Sequence, residues 1–408
     1  MSTMGRKKNE ILVGAFNALN EYYTEEKDFQ IIAASGVDFI LMAYLHDEKS
    51  DYNISMLEKY GIKAFIYDVT LNTSDPATLT DETVLKLSAP YRHSPSFLGF
   101  GIIDEPAEEI FPRLGAEVRA IRHAIPDALF HINLLPWYAF NDTDVFRSHL
   151  RKFAETVEIN HISTDDYPLW QQEDGSLTTN ASYYTGLNTS AQIASAFGRE
   201  HWLYIDTFSR VSERGYRVHS REDLYFQAYS GLTFGACKIL YFVFDITGYH
   251  GVPKEIPGAP YGMRDYARGV TELYGYGKEL ADRLHALSDV YSRYSWKHTE
   301  AVFCNGKNEE FLKGIPAYTE NRIVVEQTNT GLAVGSFDET DGDGFAFMVM
   351  NASEVSENIT SNVTFRVPDA ATLTAHIGNT SVRLLPDSEG LYRMAIAPGM
   401  AIFLTVTK

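Results

Sequence analysis

The sequence of 408 residues contains little cysteine and has a deficit of positive charge. Its two cysteines, Cys237 and Cys304, are too few for a disulfide framework or a four-cysteine zinc site. They suit the reducing cytoplasm, where we expect the protein to act. The 35 Lys and Arg residues are outnumbered by 54 Asp and Glu residues, so the net charge is −19. Because a chain this acidic repels phosphate backbones, we do not expect nucleic acid as a partner.

Long apolar stretches are also missing. No window approaches the roughly 18 consecutive apolar residues that a membrane span needs. The amino-terminal stretch MSTMGRKKNE has no apolar run after its charges, so it is unlike a secretory signal. We therefore expect no membrane partner and a cytoplasmic protein, although a secretory protein whose signal had been removed would have the same sequence. The content of 45% hydrophobic and 22% charged residues is typical of a globular protein.

A regular series of apolar, β-rich runs occupies roughly the first 290 residues. The eight runs begin at Ile11, Val37, Ile62, Phe97, Ala128, His161, His201 and Cys237. Their starts are 25 to 40 residues apart, with helical patterns between them. This spacing indicates repeated βα units, and eight such units predict a (β/α)8 TIM barrel. A doubly wound sheet is the alternative, but it normally has fewer strands, and no Gly-x-Gly-x-x-Gly follows the first run.

The pattern changes from about residue 300 to short segments with alternating apolar residues, such as GLAVGSF, FAFMVMN and AIFLTVT. Turn clusters separate these segments, for example the Asp-Gly-Asp-Gly stretch at residues 341–344. Such a pattern predicts an all-β sandwich. We place the barrel at residues 1–295 and the sandwich at residues 296–408.

Carboxylates, amides and aromatic residues dominate the predicted carboxyl ends of the barrel strands, where barrel enzymes have their active sites. The absence of lysine there argues against a Schiff-base aldolase, and the absence of His-x-His argues against a metal-dependent amidohydrolase. We expect neither a metal nor a cofactor. The residues at or shortly after the strand ends are Asn17, Tyr44, Asp68, Asp104, Glu105, Asn133, Trp137, Tyr138, Asp165, Asp166, Tyr167, Trp170, Asp206, Asp245 and Tyr249.

The alternation of side chains along a strand narrows this set. In the predicted fourth strand, Ile103 and Glu105 share one face. In the predicted seventh strand, Leu203 and Ile205 are apolar and face the helices, so Tyr204 and Asp206 face inward. Asp165 lies on the polar, inward face of the sixth strand. We therefore expect Glu105, Asp165 and Asp206 to converge over one cavity.

Two carboxyl groups in a sugar-sized cleft are what the cleavage of a glycosidic bond needs. One carboxylic acid protonates the leaving oxygen, and an ionised one attacks the anomeric carbon or activates water. We predict that Glu105 is the general acid and that Asp165 or Asp206 is the nucleophile or base. The other residues at or shortly after the strand ends are predicted to contact the carbohydrate, with the aromatic rings stacking on apolar sugar faces.

Four segments resemble a group of bacterial (β/α)8 glycoside hydrolase-like proteins. They are GFGIIDEP (99–106), HINLLPWYA (131–139), STDDYP (163–168) and GLTFGACKILYFVF (231–244). The wider resemblance is to the clan of barrel glycosidases whose acid/base Glu ends strand four, which implies that role for Glu105. The clan places a nucleophilic Glu at the end of strand seven, where this chain has Asp206; the closer group implies Asp165 instead. The tail is similar to the sandwich that follows such barrels.

Other interpretations of the same residues remain open. Glu105 follows Asp104 and precedes a proline, so it could merely begin the next helix. A barrel that binds carbohydrate without cleaving it would account for the missing Glu on strand seven. A metal-assisted lyase or isomerase built on Asp68, Glu105, Asp165 and Asp206 would use oxygen ligands that suit magnesium or manganese. The sugar, the linkage and the oligomeric state are not predicted.

Overall fold

The computed structural model describes residues 9–19, 25–44, 50–171, 176–207, 217, 219–246, 262–265, 268–304, 309–319, 322–368 and 372–407. The strands of the amino-terminal region are β1 (Leu12–Phe16), β2 (Phe39–Tyr44), β3 (Lys63–Tyr67), β4 (Phe97–Asp104), β5 (Leu129–Asn133), β6 (His161–Thr164), β7 (Leu169–Gln171), β8 (Leu177–Thr179), β9 (Glu200–Asp206) and β10 (Ala236–Phe242). In these ranges eight strands form one parallel sheet in the order β5-β4-β3-β2-β1-β10-β9-β6, and β7 and β8 form an antiparallel hairpin.

The sheet curves until its two outer strands, β5 and β6, meet. The main-chain N–H of Leu134 donates to the carbonyl oxygen of Ser163 at 3.0 Å, which continues the parallel pairing across this seam. Each of the eight strands begins within two residues of its predicted start. The predicted (β/α)8 barrel is therefore confirmed.

The helices surround this barrel. They are α1 (Glu26–Ala34), α2 (Ser50–Tyr60), α3 (Val69–Thr73), α4 (Asp81–Leu87), α5 (Phe111–Ala124), α6 (Thr143–Thr156), α7 (Tyr183–Ala196), α8 (Arg221–Thr233) and α9 (Glu272–Tyr291). In α5, Leu114, Val118 and Ile121 are buried on one face, because their spacing matches the helical period. Pro112 lies in the first turn of α5, where the helix needs no N–H donor. Among the described helices, none combines the length and the apolarity needed to cross a membrane.

Two apolar layers enclose the strands. Leu203 and Ile205 point outward and pack in the core beneath the helices, whereas Trp202 and Tyr204 point into the barrel. This is the alternation that the sequence predicts. The interior is aromatic, and the rings of His161 and Trp202 stack with their centroids 3.8 Å apart. Because side chains fill the barrel, a ligand has to bind at its mouth.

The carboxy-terminal strands form the predicted β-sandwich. They are β11 (Tyr294–Val302), β12 (Val324–Thr328), β13 (Leu332–Glu339), β14 (Phe345–Asn351), β15 (Ser361–Arg366), β16 (Thr372–Ile377), β17 (Thr380–Leu384), β18 (Tyr392–Ile396) and β19 (Ala401–Thr407). In the described part of this region, one antiparallel sheet has the order β11-β13-β14-β19-β16-β17 and the other the order β12-β15-β18. Phe347, Phe365 and Leu404 are buried in the core that the sandwich strands share. The confirmed architecture is thus a barrel followed by a sandwich.

The larger sheet of the sandwich packs closely on α8 of the barrel. A Cβ atom on Gly335 would lie 2.2 Å from the carbonyl oxygen of Thr233, and one on Gly399 would lie 2.3 Å from that of Glu222. Both glycines therefore permit a backbone-to-backbone approach that no other residue allows. Beside them, the rings of Tyr291 and Phe337 meet with centroids 5.5 Å apart, so apolar packing is continuous from the barrel to the sandwich.

We expect Gly335→Ala to lower the free energy of unfolding by about 1–3 kcal/mol, because its methyl group would overlap the end of α8. Gly275→Ala is the matched control: this glycine lies in α9, and a Cβ there would have no atom within 4 Å. The control should be neutral or stabilising by up to about 1 kcal/mol. Urea unfolding measures both, and equal stability of the two variants would contradict the close approach.

Candidate active site

Three neighbouring strands bring acidic residues together at the carboxyl edge of the barrel. Asp104 ends β4 opposite Asn133 of β5, and the main-chain N–H of Glu105 donates to the carbonyl oxygen of Asn133 at 3.0 Å. Across the seam, the hydroxyl of Ser163 on β6 donates to Oδ1 of Asn133 at 2.9 Å. Asp165 follows one residue after the end of β6. The closure of the barrel thus places Asp104, Glu105 and Asp165 around Asn133.

The amide of Asn133 connects two of these carboxyl groups. Because its Oδ1 accepts the hydrogen bond from Ser163, its Nδ2 is left to donate. The Asn133 side chain is hydrogen-bonded to both Asp104 and Asp165, and in each case the bond lowers the pKa of the carboxyl. Asn133 is buried, so its orientation is fixed. It therefore determines the relative placement of these two acids.

Burial and like charge act against ionisation of the two aspartates. Burial first, and then the negative charges of Glu105 and Asp104, hold the pKa of Asp165 well above its usual range. Burial and the charge of Glu105 raise the pKa of Asp104 to about 6. A protonated carboxyl group beside an ionised one is the pairing that acid-base catalysis uses.

Asp104 and Glu105 remain accessible to solvent although protein surrounds them closely enough to desolvate Asp104. Glu105 has a φ of +46°, which is a strained conformation for a residue with a side chain. Strain of this kind concentrates at functional sites. Because the side chains of Asp104 and Glu105 are exposed, a small molecule can reach both carboxyl groups.

The predicted alternation in β4 is wrong at Ile103. The pairing with β5 shifts register between Gly101 and Ile103, and Ile103 packs against the outer apolar layer beside Ile102. A bulge of this kind adds one residue and changes which side chains face inward. As a result Asp104 turns toward Asn133, whereas strict alternation would have directed it outward.

Asp206 lies in a different environment from Asp165. Its side chain is buried, and its Oδ2 is 3.5 Å from Nε2 of His219. Its main-chain N–H donates to Gln227 Oε1 at 2.7 Å, and the Gln227 amide returns a hydrogen bond of 3.1 Å to its carbonyl oxygen. These bonds attach the end of β9 to α8. The convergence of Asp206 with Glu105 and Asp165 stays a prediction.

Asp166 faces away from the strands, toward the turn that contains Trp137. Its Oδ1 accepts a hydrogen bond of 3.2 Å from the main-chain N–H of Trp137. A Cβ atom on Gly186 of α7 would lie 2.4 Å from Oδ2, so α7 covers the carboxyl closely. Burial raises the pKa of Asp166 to about 7. Its position favours a role in holding the loops, and direct contact with carbohydrate is not supported by it.

Three predicted sugar contacts have structural partners. Asp68 caps α3 by accepting from the N–H of Leu71, and it also accepts from the hydroxyl of Tyr91 at 2.6 Å. Asp245 is completely buried and forms an ion pair of 3.4 Å with Arg264. Asn17 donates to the carbonyl oxygen of Asp245 at 2.5 Å. These contacts hold the carboxyl ends of β1, β3 and β10 in place and favour structural roles for Asn17, Asp68 and Asp245.

The predicted aromatic contacts divide into buried and accessible rings. Tyr167 is buried, and its ring stacks on Phe242 at 5.5 Å between centroids. Trp137, Tyr138 and Trp170 are half-buried and are the described rings available for stacking. The Trp indoles donate to Thr143 Oγ1 and to the Tyr167 carbonyl oxygen, respectively, at 3.1 Å each. The side chain of Tyr44 and the whole of Tyr249 lie outside the described residues.

Sequence reasoning placed Tyr204 inside the barrel but gave it no function. Burial and the charges of Asp104 and Asp165 raise its pKa, so its hydroxyl lies beside the acidic group. The same hydroxyl is 2.9 Å from Nε2 of His131, whose pKa burial lowers to about 3. His131 is therefore neutral, and its hydrogen bond holds the Tyr204 hydroxyl in place from inside the barrel. The inward position of Tyr204, two residues before the end of β9, was the signal that identified it.

In the ranges that the structure describes, no group of three or more His, Cys, Asp or Glu residues is arranged to hold a metal ion. The acidic group instead consists of carboxyls bridged by an amide. Carboxyl groups in such an arrangement can transfer protons and stabilise positive charge.

No family model matches the chain, and no curated protein matches it. Among solved structures, it is similar to a β-galactosidase from Bacillus circulans sp. alkalophilus, with 9% identity, a TM-score of 0.59 and coverage of 98% of this chain and 99% of that one. It is also similar to an α-L-arabinofuranosidase from Thermotoga maritima, solved with arabinose (11% identity, TM-score 0.50, coverage 98% and 97%). A glucosidase from Croceicoccus marinus gives 9% identity, a TM-score of 0.50 and coverage of 100% and 98%. These similarities establish the fold.

The raised pKa of Asp166 predicts a pH-dependent stability difference. The folded pKa, about 7, exceeds the ordinary aspartate value of 3.8, so the folded state binds this proton more tightly and loses stability as pH rises from 4 to 7. Asp166→Asn cannot ionise, so it lacks this loss of stability. Between pH 4 and pH 8 we expect its free energy of unfolding to rise by on the order of 2–4 kcal/mol relative to that of wild type.

Urea unfolding at several pH values measures this difference. Asp127→Asn, a change at an exposed aspartate, is the control and should follow the wild-type pH dependence. The same pH dependence in Asp166→Asn and wild type would show that Asp166 does not titrate as the structure implies.

Proposed function

We propose that the protein is a glycoside hydrolase that cleaves a neutral oligosaccharide or glycoside with two carboxyl groups, Glu105 and Asp165. The observation that carries this proposal is the position of Asp165, whose pKa is raised by burial and by the neighbouring Glu105 and Asp104. The raised pKa means that Asp165 holds its proton to a higher pH than a free aspartate does, beside the negative charges of Glu105 and Asp104. One proton to donate and one negative charge are what the cleavage of a glycosidic bond requires.

Accessibility assigns the roles within this pair. Glu105 is exposed, so it is the group that reaches the glycosidic oxygen and acts as general acid. Asp165 is 9% exposed, and it acts as nucleophile or base once its proton has passed to Glu105, which then donates a proton to the glycosidic oxygen. Asn133 holds Asp165 through a hydrogen bond that favours its ionised form. Asp104, on the same amide, adds negative charge that favours the cationic transition state.

The surroundings of the acids favour a neutral sugar as substrate. The chain has a net charge of −19, and the acidic group would repel an anionic sugar. Trp137 and Trp170 are half-buried on the segments that follow β5 and β6, where their faces can stack on a sugar ring. The hydroxyl of Tyr204 lies next to Asp104 and Asp165.

A second candidate function is carbohydrate binding without cleavage. It is favoured by Asp206, which ends β9 where related barrels have a nucleophile but is buried beside His219. On this interpretation the sugar binds at the carboxyl edge of the barrel, and the acids only form hydrogen bonds with it. Calorimetry would then detect binding of an oligosaccharide without any release of reducing ends.

We expect wild-type protein to hydrolyse at least one member of a panel of 4-nitrophenyl glycosides and neutral oligosaccharides. Glu105→Gln should lower kcat by about 10²–10⁴-fold, because the amide cannot donate the proton. Glu109→Gln is the matched control, since Glu109 is an exposed glutamate four residues further along the same segment. Release of nitrophenol and of reducing ends measures turnover, and thermal unfolding checks that both variants are folded.

Turnover by Glu105→Gln at the rate of Glu109→Gln would remove Glu105 from the mechanism. Binding of a sugar by wild type, with no product from any member of the panel, would favour the second candidate function.

A further inference from the structure

The sandwich contributes one buried carboxylate to the carboxyl edge of the barrel. Glu354 precedes the 3-10 turn Val355–Glu357, and only 3% of its side chain is exposed. Its Oε1 accepts a hydrogen bond from Nη2 of Arg217 at 3.2 Å, and its Oε2 accepts one from the hydroxyl of Thr179 at 2.5 Å. Glu354 therefore joins two barrel segments that are far apart in the sequence.

Both of these segments border the candidate active site. Thr179 ends the hairpin strand β8, which lies between β6 and α7 and so follows Asp165. Arg217 lies between β9 and α8, in the connection that starts at Asp206. Connections from the carboxyl end of a barrel strand to the next helix form the active-site face. Glu354 thus contacts two of the loops on this face.

The segment that holds Arg217 is fixed at several points. Arg217 donates to Asp223 from Nε at 3.2 Å and from Nη2 at 2.5 Å, a bidentate pair with both side chains buried. Asp223 also accepts from the main-chain N–H of Ser220 at 2.9 Å and so completes the capping box of α8. Between them, His219 reaches Asp206 at 3.5 Å. Arg217, which contacts Glu354, thus lies two residues from His219, which contacts the end of β9.

Hydrogen bonds connect the β7–β8 hairpin to the segment that follows β6. Thr179 pairs with Leu169 across the hairpin, and the N–H of Asn180 donates to the carbonyl oxygen of Pro168 at 2.6 Å. Trp170, in the same hairpin, donates to the carbonyl oxygen of Tyr167 at 3.1 Å. The position of the hairpin therefore affects the segment that begins with Asp165 and the half-buried ring of Trp170.

The buried charges around Glu354 favour one fixed arrangement of the segments that they join. Arg217, Asp223 and Glu354 are each 3% exposed, and burial of charged groups costs free energy unless they are paired. Apolar residues of similar size would join the two domains at least as stably. A buried ion cluster with directional hydrogen bonds instead fixes the loops in one arrangement.

We propose that Glu354 is a positioning residue for the active site: through Thr179 and Arg217 it sets the β7–β8 hairpin and the described residues that precede α8, so the substrate site is complete only with the sandwich in place. The kinetic part of this inference rests on the proposed glycosidase function. Its structural part does not, because the positions of the loops can be measured without a substrate.

Two variants and a control test the proposal. Thr179→Val removes the hydrogen bond to Glu354 and leaves every charge paired, and Glu354→Gln removes the charge while keeping the shape. Ser356→Ala is the control, because Ser356 is exposed and bonds to Glu354 only through its main-chain N–H at 3.3 Å. On a glycoside that wild type cleaves, we expect both variants to lose about tenfold or more in kcat/KM, chiefly through KM, and the control to be unchanged.

Hydrogen exchange in the absence of substrate provides the second readout. We expect faster exchange at residues 165–171 and 176–183 in both variants, with β11 and β13 unchanged. Values of kcat/KM within twofold of wild type in both variants, or faster exchange spread equally over β11 and β13, would overturn the proposal, since Glu354 would then only join the domains. If wild type cleaves no glycoside, the proposed function fails, and the exchange pattern alone decides the positioning role.

Discussion

The structure depends on the closure of the barrel between β5 and β6. One main-chain hydrogen bond, from Leu134 to Ser163, continues the sheet across this seam, and the Ser163 hydroxyl adds a bond to Asn133. The acids of the fourth and sixth strands are thereby brought to the same amide. Parallel strands end at one edge, so the closure that completes the core also gathers the polar residues that follow it.

This gathering has an energetic consequence. Burial and mutual repulsion raise the pKa of Asp104 and Asp165, so the folded protein holds carboxyl groups in an unfavourable arrangement. The hydrogen bonds from Asn133 offset part of this effect, and the aromatic interior below supplies the rigid support. Natural proteins tolerate such local conflicts mainly at functional sites. The strained φ of Glu105 is a second conflict at the same place.

The sandwich takes part in this arrangement. Two glycines let its backbone approach α8 closely, and Glu354 reaches the loops on the active-site face. The connection from β9 to α8 is held at Asp206 by His219 and Gln227 and at Arg217 by the sandwich. The two domains therefore meet where the candidate chemistry lies, and the sandwich supports the barrel loops from outside.

The sequence by itself determined the eight barrel strands, the sandwich and the inward position of Tyr204, because burial and side-chain alternation are local patterns that survive in the chain. It also identified Glu105 and Asp165 as candidates, since strand ends can be located from the strands. Only the tertiary structure decided that a bulge turns Asp104 toward Asn133, that Arg264 pairs with Asp245, and that Glu354 reaches Arg217. Each of these depends on a partner or a register that residues far away in the sequence supply, and no local pattern records them.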